Sequence, residues 1–162
     1  MNRLINVIGK IAVACDHGGF ELKQEIIKYL ISQGIDFVDL GSYNLNPVDY
    51  PDYAHLVCEA ISNGEAGGGI LICGTGIGMS MAANKHKGIR AACCSDTYSV
   101  KMTRKHNDAN ILCIGGRVLG SGAACDKVEL FLSTEHEHGR HDYRVKLIMK
   151  NEEFWDNGKW NS

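Results

Sequence analysis

Residues 69–79, Gly-Ile-Leu-Ile-Cys-Gly-Thr-Gly-Ile-Gly-Met, decide the fold class of this chain. The first five are continuously apolar, which is typical of a strand buried on both faces of a parallel sheet. Three glycines at alternate positions follow, and a helix is predicted to begin near Met79. A buried strand that enters a helix through a glycine loop is a recurring unit of doubly wound α/β domains.

The same alternation of strand and helix continues on both sides of this segment. Short apolar runs predict strands at residues 10–15, 36–40, 69–73, 89–93 and 111–114. Helical periodicity predicts helices at 22–31, 53–61, from about 79, and at 97–105, 123–132 and 140–150. Gly34 should end the first helix, and residues 41–52 should form a loop that contains both prolines. These elements predict a Rossmann-like, doubly wound five-stranded parallel sheet in a three-layer αβα arrangement.

The length of 162 residues fits a single domain. The predicted elements place that domain at residues 10–150. Residues 1–9 are then an N-terminal extension, and residues 151–162 are a C-terminal tail that contains Trp155 and Trp160. The sequence suggests no role for either end.

Composition excludes several classes of function. The net charge of −2 argues against a nucleic-acid or membrane-surface partner, and no apolar run approaches the roughly 18 residues of a membrane span. Seven cysteines, several in strand-like runs and none in a CxxC pair, indicate free thiols rather than disulfides or a zinc ribbon. A cytoplasmic location is therefore expected.

The glycine loop is the strongest candidate site. Its backbone N–H groups and the following helix N-terminus would stabilise a phosphate or a developing oxyanion. The spacing is GxGxG rather than GxGxxG, and Gly-Lys-Ser/Thr is absent, so dinucleotide and nucleoside-triphosphate loops are disfavoured. Cys73 stands at the loop entrance, where it is either a thiolate base or nucleophile or one more small buried side chain.

Other polar residues carry weaker signals. The Asp16-His17 turn after the first strand suits a helix cap as well as a ligand contact. His106 closes a helix, where a cation simply complements the helix dipole.

The segment 136–144 contains three histidines and two arginines. A metal site is disfavoured there, because the histidines lie on a predicted polar turn without a second ligand cluster. Arg140 and Arg144 are four residues apart, so on a helix both would face one side and either grip a phosphate or remain solvated.

Several of these segments, in this order, identify a family. The chain resembles type B ribose-5-phosphate isomerases, whose family also contains the galactose-6-phosphate isomerase subunits, from residue 10 to about 150. The resemblance rests on Asp16-His17-Gly18, Asp49-Tyr50-Pro51, the loop segment 69–78, Ala82-Ala83-Asn84-Lys85, Gly88-Ile89-Arg90-Ala91, His106-Asn107-Asp108 and Gly139-Arg140-His141.

The resemblance implies an isomerase that needs neither cofactor nor metal and works as a homodimer, sometimes paired into a tetramer, with active sites at the subunit interface. It implies that Cys73 is the base and that His106 is the acid/base that opens the sugar ring. Thr75 would help to stabilise the enediolate and to move protons between the sugar oxygens. One branch of the family uses a glutamate where this chain has Met79. The implied substrate contacts are Asp16, His17, Tyr50, Gly74, Thr75, Gly76, Ile77, Gly78, Asn107, Arg117, Arg140 and Arg144.

The reaction so implied interconverts D-ribose 5-phosphate and D-ribulose 5-phosphate through an enediolate, a step of the non-oxidative pentose phosphate pathway. Two alternatives stay open: a six-carbon substrate such as galactose 6-phosphate or allose 6-phosphate, and a non-catalytic phosphosugar-binding module. A cysteine-dependent phosphatase is rejected, because residues 74–81 lack the arginine that its loop requires.

Overall fold

The computed structural model describes residues 4–157, with side chains to residue 152. Within that range the strands are β1 Ile11–Cys15, β2 Phe37–Asp39, β3 Gly68–Cys73, β4 Ala91–Cys93 and β5 Ile111–Gly115. The helices are α1 Phe20–Gln33, α2 Tyr50–Ser62, α3 Ile77–Ala83, α4 Thr97–Asn107, α5 Ser121–Ser133 and α6 Arg140–Asn157.

The five strands form one parallel sheet in the order β2-β1-β3-β5-β4. The chain moves from β1 outward to β2, and then returns past β1 to build the other half of the sheet from β3. The strand order therefore reverses between β1 and β3, and ligands of such sheets bind beyond the carboxyl ends of the strands at this switch point. The predicted doubly wound fold is confirmed.

Apolar side chains cover both faces of the sheet, as β1 illustrates. Ile11, Val13 and Cys15 face one layer of the core, which α1, α4 and α5 complete. Ala12 and Ala14 face the other layer, which α2 and α3 complete. This alternation confirms the three-layer arrangement.

Several predicted boundaries were wrong, and the starts of α2 and β4 are examples. Helix α2 begins at Tyr50 rather than near residue 53, because Pro51 occupies the first turn, where a missing N–H costs no hydrogen bond. Strand β4 begins at Ala91 rather than at residue 89. It is the outermost strand of the sheet, and its last residue, Cys93, is exposed.

The ends of the chain join the domain more closely than the sequence suggested. Helix α6 continues to Asn157, past the predicted end at residue 150, so the backbone of Trp155 is helical and Trp160 lies outside the described residues. In the N-terminal extension, the Val7 N–H donates to the Leu132 carbonyl at 2.9 Å. Within residues 4–157, no helix is both long and apolar enough to cross a membrane.

Helix α1 ends as predicted but buries an unexpected residue. Gly34 adopts a left-handed conformation at φ 66° and caps the helix. Ile31, expected on the buried face, is 63% exposed, whereas Lys23 is fully buried. The Lys23 ammonium lies 2.6 Å from an Asp39 carboxylate oxygen and donates to the Ser42 carbonyl at 2.7 Å. It thus ties α1 to the loop that follows β2.

Candidate active site

Cys73 is the last residue of β3, at the start of the glycine loop. Cys73 is 5% exposed, and its Sγ accepts a hydrogen bond from the Gly76 N–H at 3.1 Å. Gly76 has φ 81°, and a Cβ there would lie 2.9 Å from the backbone of Ile114. Only glycine fits both the left-handed backbone and this close approach, so the donor to the sulfur depends on glycine at this position.

The loops that follow β1 and β5 press against the same segment. A Cβ on Gly116 would lie 2.6 Å from the Gly18 carbonyl oxygen, and one on Gly18 would lie 3.2 Å from the Gly74 nitrogen. The Arg117 N–H donates to the Gly74 carbonyl at 3.0 Å. Three strand ends therefore meet with backbone against backbone.

Asp16 and Arg117 contribute charge near the loop. Asp16 is 7% exposed, and its Oδ1 accepts hydrogen bonds from the N–H groups of Gly18 and Gly19 at 2.8 and 3.1 Å. This carboxylate thus shapes its own turn, as the cap interpretation expected. The Arg117 side chain lies along Gly74, with Cδ 3.6 Å from where a Cβ would stand.

Uncharged groups complete this side of the site. The Tyr50 ring lies 2.8 Å from the position of a Cβ on Gly78, so it packs directly against the first turn of α3. His17 accepts from the Val48 N–H through Nδ1 at 3.3 Å, which leaves the proton of its ring on Nε2. Thr75 is exposed, and its hydroxyl oxygen accepts from the Ile77 N–H at 3.3 Å.

The other core cysteines are unsuited to act as bases. Burial raises the pKa of Cys15 to about 11, that of Cys94 to about 11 and that of Cys58 to about 12. Burial also raises the pKa of Cys113 far above its ordinary value. A thiol with so high a pKa stays protonated at neutral pH, so these four cysteines are unsuited to proton transfer. At Cys73, by contrast, the feature of interest is the backbone N–H of Gly76 that donates to its sulfur.

His106 and Asn107 lie at the opposite edge of the sheet. They end α4, and the Asn107 and Asp108 carbonyls each accept from the Arg90 side chain at 3.0 Å. Arg90 directly precedes β4, so this group lies where the strands begin rather than where they end. Because a strand rises about 3.3 Å per residue, the length of β5 separates this group from Cys73 by roughly 15 Å.

Helix α6 adds its first turns to this second group. The His141 ring stacks on His106 with centroids 4.2 Å apart and planes 8° apart. Loss of hydration lowers the pKa of His141, and the neighbouring His106 and Arg140 lower it further. Arg140 and Arg144 are both exposed on α6, one helical turn apart.

The sequence-predicted site residues thus form two clusters in the chain. The carboxyl-edge cluster consists of Asp16, His17, Tyr50, Cys73, Gly74, Thr75, Gly76, Ile77, Gly78 and Arg117. The amino-edge cluster consists of His106, Asn107, Arg140 and Arg144. Within one chain the fold brings each cluster together but holds the two apart.

Sequence reasoning missed two residues that support these clusters. Lys23 anchors the loop between β2 and α2, and a signal existed in its position three residues before the buried Ile26. His141 was noted only as part of a motif, and its stack on His106 depends on the meeting of α4 with α6, which periodicity does not reveal.

Comparison with known proteins connects this arrangement to a family. The family model described as Ribose/Galactose Isomerase matches residues 11–148, nearly the whole described domain. The chain belongs to the ribose/galactose isomerase family. The predicted family resemblance is therefore confirmed.

Relatives within the ribose/galactose isomerase family match over almost their full length. Ribose-5-phosphate isomerase B of Escherichia coli is 49% identical over 139 residues, covering 86% of this chain and 93% of the relative. The solved structure of Clostridium thermocellum ribose-5-phosphate isomerase B has a TM-score of 0.89 at 47% identity, covering 90% of this chain and 99% of that one. The Leishmania infantum type B enzyme has a TM-score of 0.86 at 48% identity, covering 90% and 97%.

Proposed function

We propose that this protein is an aldose–ketose isomerase that interconverts D-ribose 5-phosphate and D-ribulose 5-phosphate. The observation that carries the proposal is the Cys73 sulfur, held by the Gly76 N–H inside a glycine loop at the switch point of the sheet. The Escherichia coli and Clostridium thermocellum relatives, named as ribose-5-phosphate isomerases B, support the choice of substrate.

The proposed reaction moves one proton between adjacent carbons and one between their oxygens. The Cys73 thiolate removes the proton from C2 of the open-chain aldose, the C2–H electron pair forms the C1–C2 double bond, and the C1 carbonyl electron pair moves onto O1 to give an enediolate. A proton passes from the C2 hydroxyl to O1, the C2 oxygen becomes the ketone carbonyl, and the C1–C2 double-bond pair takes the proton from the Cys73 thiol at C1. Electrons and protons balance within the substrate, so the step requires neither a redox cofactor nor a metal.

Each remaining requirement of the reaction has a candidate group. The loop backbone and Thr75 stabilise the negative charge that develops on the enediolate oxygens. His106 opens the furanose ring by moving a proton between ring oxygen and hydroxyl, and Asp16 and Asn107 hold sugar hydroxyls. Tyr50 and Ile77 border the sugar at the mouth of the loop.

Phosphate binding is assigned to four cationic or donor side chains. Arg140 and Arg144 grip the phosphate from α6, while His17 and Arg117 contact the substrate from the carboxyl edge. Guanidinium groups suit this task because each can donate two parallel hydrogen bonds to phosphate oxygens. Binding at the non-reacting end of the sugar then orients C1 and C2 against the cysteine.

We infer that the active unit is a homodimer. Cys73 and His106 lie at opposite edges of the sheet within one chain, so a single subunit cannot apply both to one sugar. A two-fold axis can place the amino edge of one subunit over the carboxyl edge of its partner. The same axis then places the partner's amino edge over the first subunit's carboxyl edge, because such interfaces are self-complementary. Two complete sites result, and a pair of such dimers would give a tetramer.

The thiols suit a reducing location. The described residues contain seven free cysteines, and catalysis by Cys73 requires its reduced form. We therefore propose that the enzyme works in the cytoplasm.

The experiment that tests this function is an isomerase assay on ribose 5-phosphate with a metal chelator present. We expect turnover by the unmodified protein and a loss of about 10²–10⁴-fold in kcat for Cys73→Ala, the range expected for a removed general base. Cys125→Ala is the matched control, because that thiol lies on α5 away from the loop. Undiminished activity of Cys73→Ala would refute the proposed base, and binding of the sugar without turnover would favour the non-catalytic module.

A six-carbon phosphosugar is the second candidate, because the family description includes galactose isomerases. Kinetics on ribose 5-phosphate, allose 6-phosphate and galactose 6-phosphate, measured side by side, decide between the substrates. The proposal expects the largest kcat/KM for ribose 5-phosphate. Activity that appears only when a second, different subunit is added would favour the galactose type.

A further inference from the structure

We propose that His136, His138 and Asp142 form a binding site for a zinc-class divalent cation at the start of α6. Their ligand atoms, one from each residue, all lie within 4.8 Å of one another. The site is separate from the proposed isomerase chemistry and does not rest on it. The sequence alone favoured a solvated polar turn for this segment, and the proposal departs from that interpretation.

The distances between the three ligand atoms already approach those of a metal site. Asp142 Oδ1 lies 3.0 Å from His136 Nε2 and 3.1 Å from His138 Nδ1. Zinc bonds to imidazole nitrogen and carboxylate oxygen of about 2.0–2.2 Å place tetrahedral ligand atoms roughly 3.3–3.5 Å apart. An outward shift of a few tenths of an ångström would therefore admit the ion.

The orientation of His136 also suits a ligand. Its Nδ1 lies 2.8 Å from the Lys105 carbonyl oxygen, and because a carbonyl only accepts, Nδ1 carries the proton. Nε2 is then the ring nitrogen that faces Asp142, and it is the atom that would bind a cation in place of this contact. A backbone carbonyl bound to the outer ring nitrogen is the usual support of a metal-bound histidine.

Asp142 supplies the carboxylate of this group, and its Oδ1 lies between the two imidazole rings. Imidazole ligands favour zinc and its first-row neighbours over Mg²⁺ or Ca²⁺, which prefer oxygen ligands.

The ligand atoms of a second group, His106, Glu137 and His141, also lie within 4.8 Å of one another. The geometry of this group does not suit a metal ion. The His106 and His141 rings are nearly parallel, at 8°, so the in-plane lone pairs of their nitrogens do not converge on a point between them. The His136 and His138 rings are inclined at 63°, which allows their nitrogens to converge.

The test measures Zn²⁺ binding to tag-free, chelator-stripped protein by calorimetry, and Co²⁺ binding by its visible spectrum. We expect one Zn²⁺ per chain, a tetrahedral Co²⁺ spectrum without thiolate charge-transfer bands, and a higher melting temperature with Zn²⁺. His138→Ala and Asp142→Asn should each weaken Zn²⁺ binding at least 10-fold, because each substitution removes one of the three proposed ligands. The His138 side chain is 73% exposed, so its replacement should not impair folding.

Two control variants separate this site from other zinc ligands. His55→Ala alters the other exposed histidine pair, in which His55 Nδ1 lies 2.8 Å from His86 Nε2, and Cys93→Ser removes the exposed thiol. Both should bind Zn²⁺ as the unmodified protein does. Absence of binding, binding unaffected by His138→Ala and Asp142→Asn, or binding lost in either control would overturn the proposal.

Discussion

The two edges of the sheet are built by different means. The carboxyl edge around Cys73 is made of backbone in close contact, where glycines at 76 and 116 leave no room for a Cβ. The amino edge around His106 is made of long side chains on α4 and α6, and Arg140 and Arg144 there are exposed. In the proposed mechanism the first edge positions the reacting atoms, and the second supplies charge on exposed side chains. Substitutions at the carboxyl edge should therefore change the shape of the site, and substitutions at the amino edge should change substrate affinity.

The largest effect is expected where a side chain is forced into the glycine loop. Gly76→Ala must adopt a left-handed backbone at a cost of about 1–2 kcal/mol and also displace the backbone of Ile114. The N–H that contacts Cys73 moves with it. We expect kcat for ribose 5-phosphate to fall about 10²-fold or more, by analogy with the loss of an oxyanion donor, together with a lower melting temperature.

Gly122→Ala provides the matched control for that substitution. Gly122 lies in α5 with open space around its would-be Cβ, and alanine favours helices over glycine. Activity and melting temperature should be equal to or slightly above those of the unmodified protein. Equal losses in both variants would show that the loop geometry at Gly76 has no special role.

At the amino edge, truncation should weaken substrate binding without unfolding the protein. Arg140→Ala removes a charged donor proposed to contact phosphate, a contact typically worth about 1.5–3 kcal/mol, or roughly 10–100-fold in kcat/KM. The effect should lie mainly in KM, and the melting temperature should not change because the side chain is exposed. Lys150→Ala removes an exposed charge from the same helix and should change neither. A fall in kcat alone would contradict the phosphate role.

The smallest effect concerns the histidine stack. The pKa of His141 is lowered from its usual 6.5 by lost hydration, then by His106 and Arg140. The unfolded chain then takes up a proton first, so the stability from neutral His141 is present above pH 6.5 and declines as the pH falls below that value. Titration of the ring by NMR should give a midpoint below 6.5. A midpoint at or above 6.5 would show that the stack does not desolvate the ring.

The carboxyl edge could be predicted from the sequence because its signals are local. A buried strand, alternate glycines and Cys73 are contiguous, and the left-handed backbone of Gly76 follows from the chemistry of glycine. The start of α2 was missed because prolines suggest loops, although Pro51 is favourable in a first turn. Lys23 was missed because its burial depends on Asp39, a partner on another element.

The position of the amino-edge cluster in the fold could not be predicted from the sequence. His106, Arg140 and Arg144 were identified by type and by resemblance, but their position depends on α4 returning to the beginning of the strands and on α6 packing there. That is a property of the folded chain, and periodicity does not contain it. The separation of His106 from Cys73, which leads to the proposed dimer, emerged only from the fold.

Complementation between subunits tests this account most directly. Cys73→Ala and His106→Asn chains, co-expressed with different affinity tags, yield a purified mixed dimer in which each chain carries one defect. If each site takes Cys73 from one subunit and His106 from its partner, one of the two sites is intact, and about half of the unmodified activity per dimer returns. Each variant alone should be nearly inactive. A mixed dimer as inactive as its parents would place both residues of a site in one chain and contradict the account.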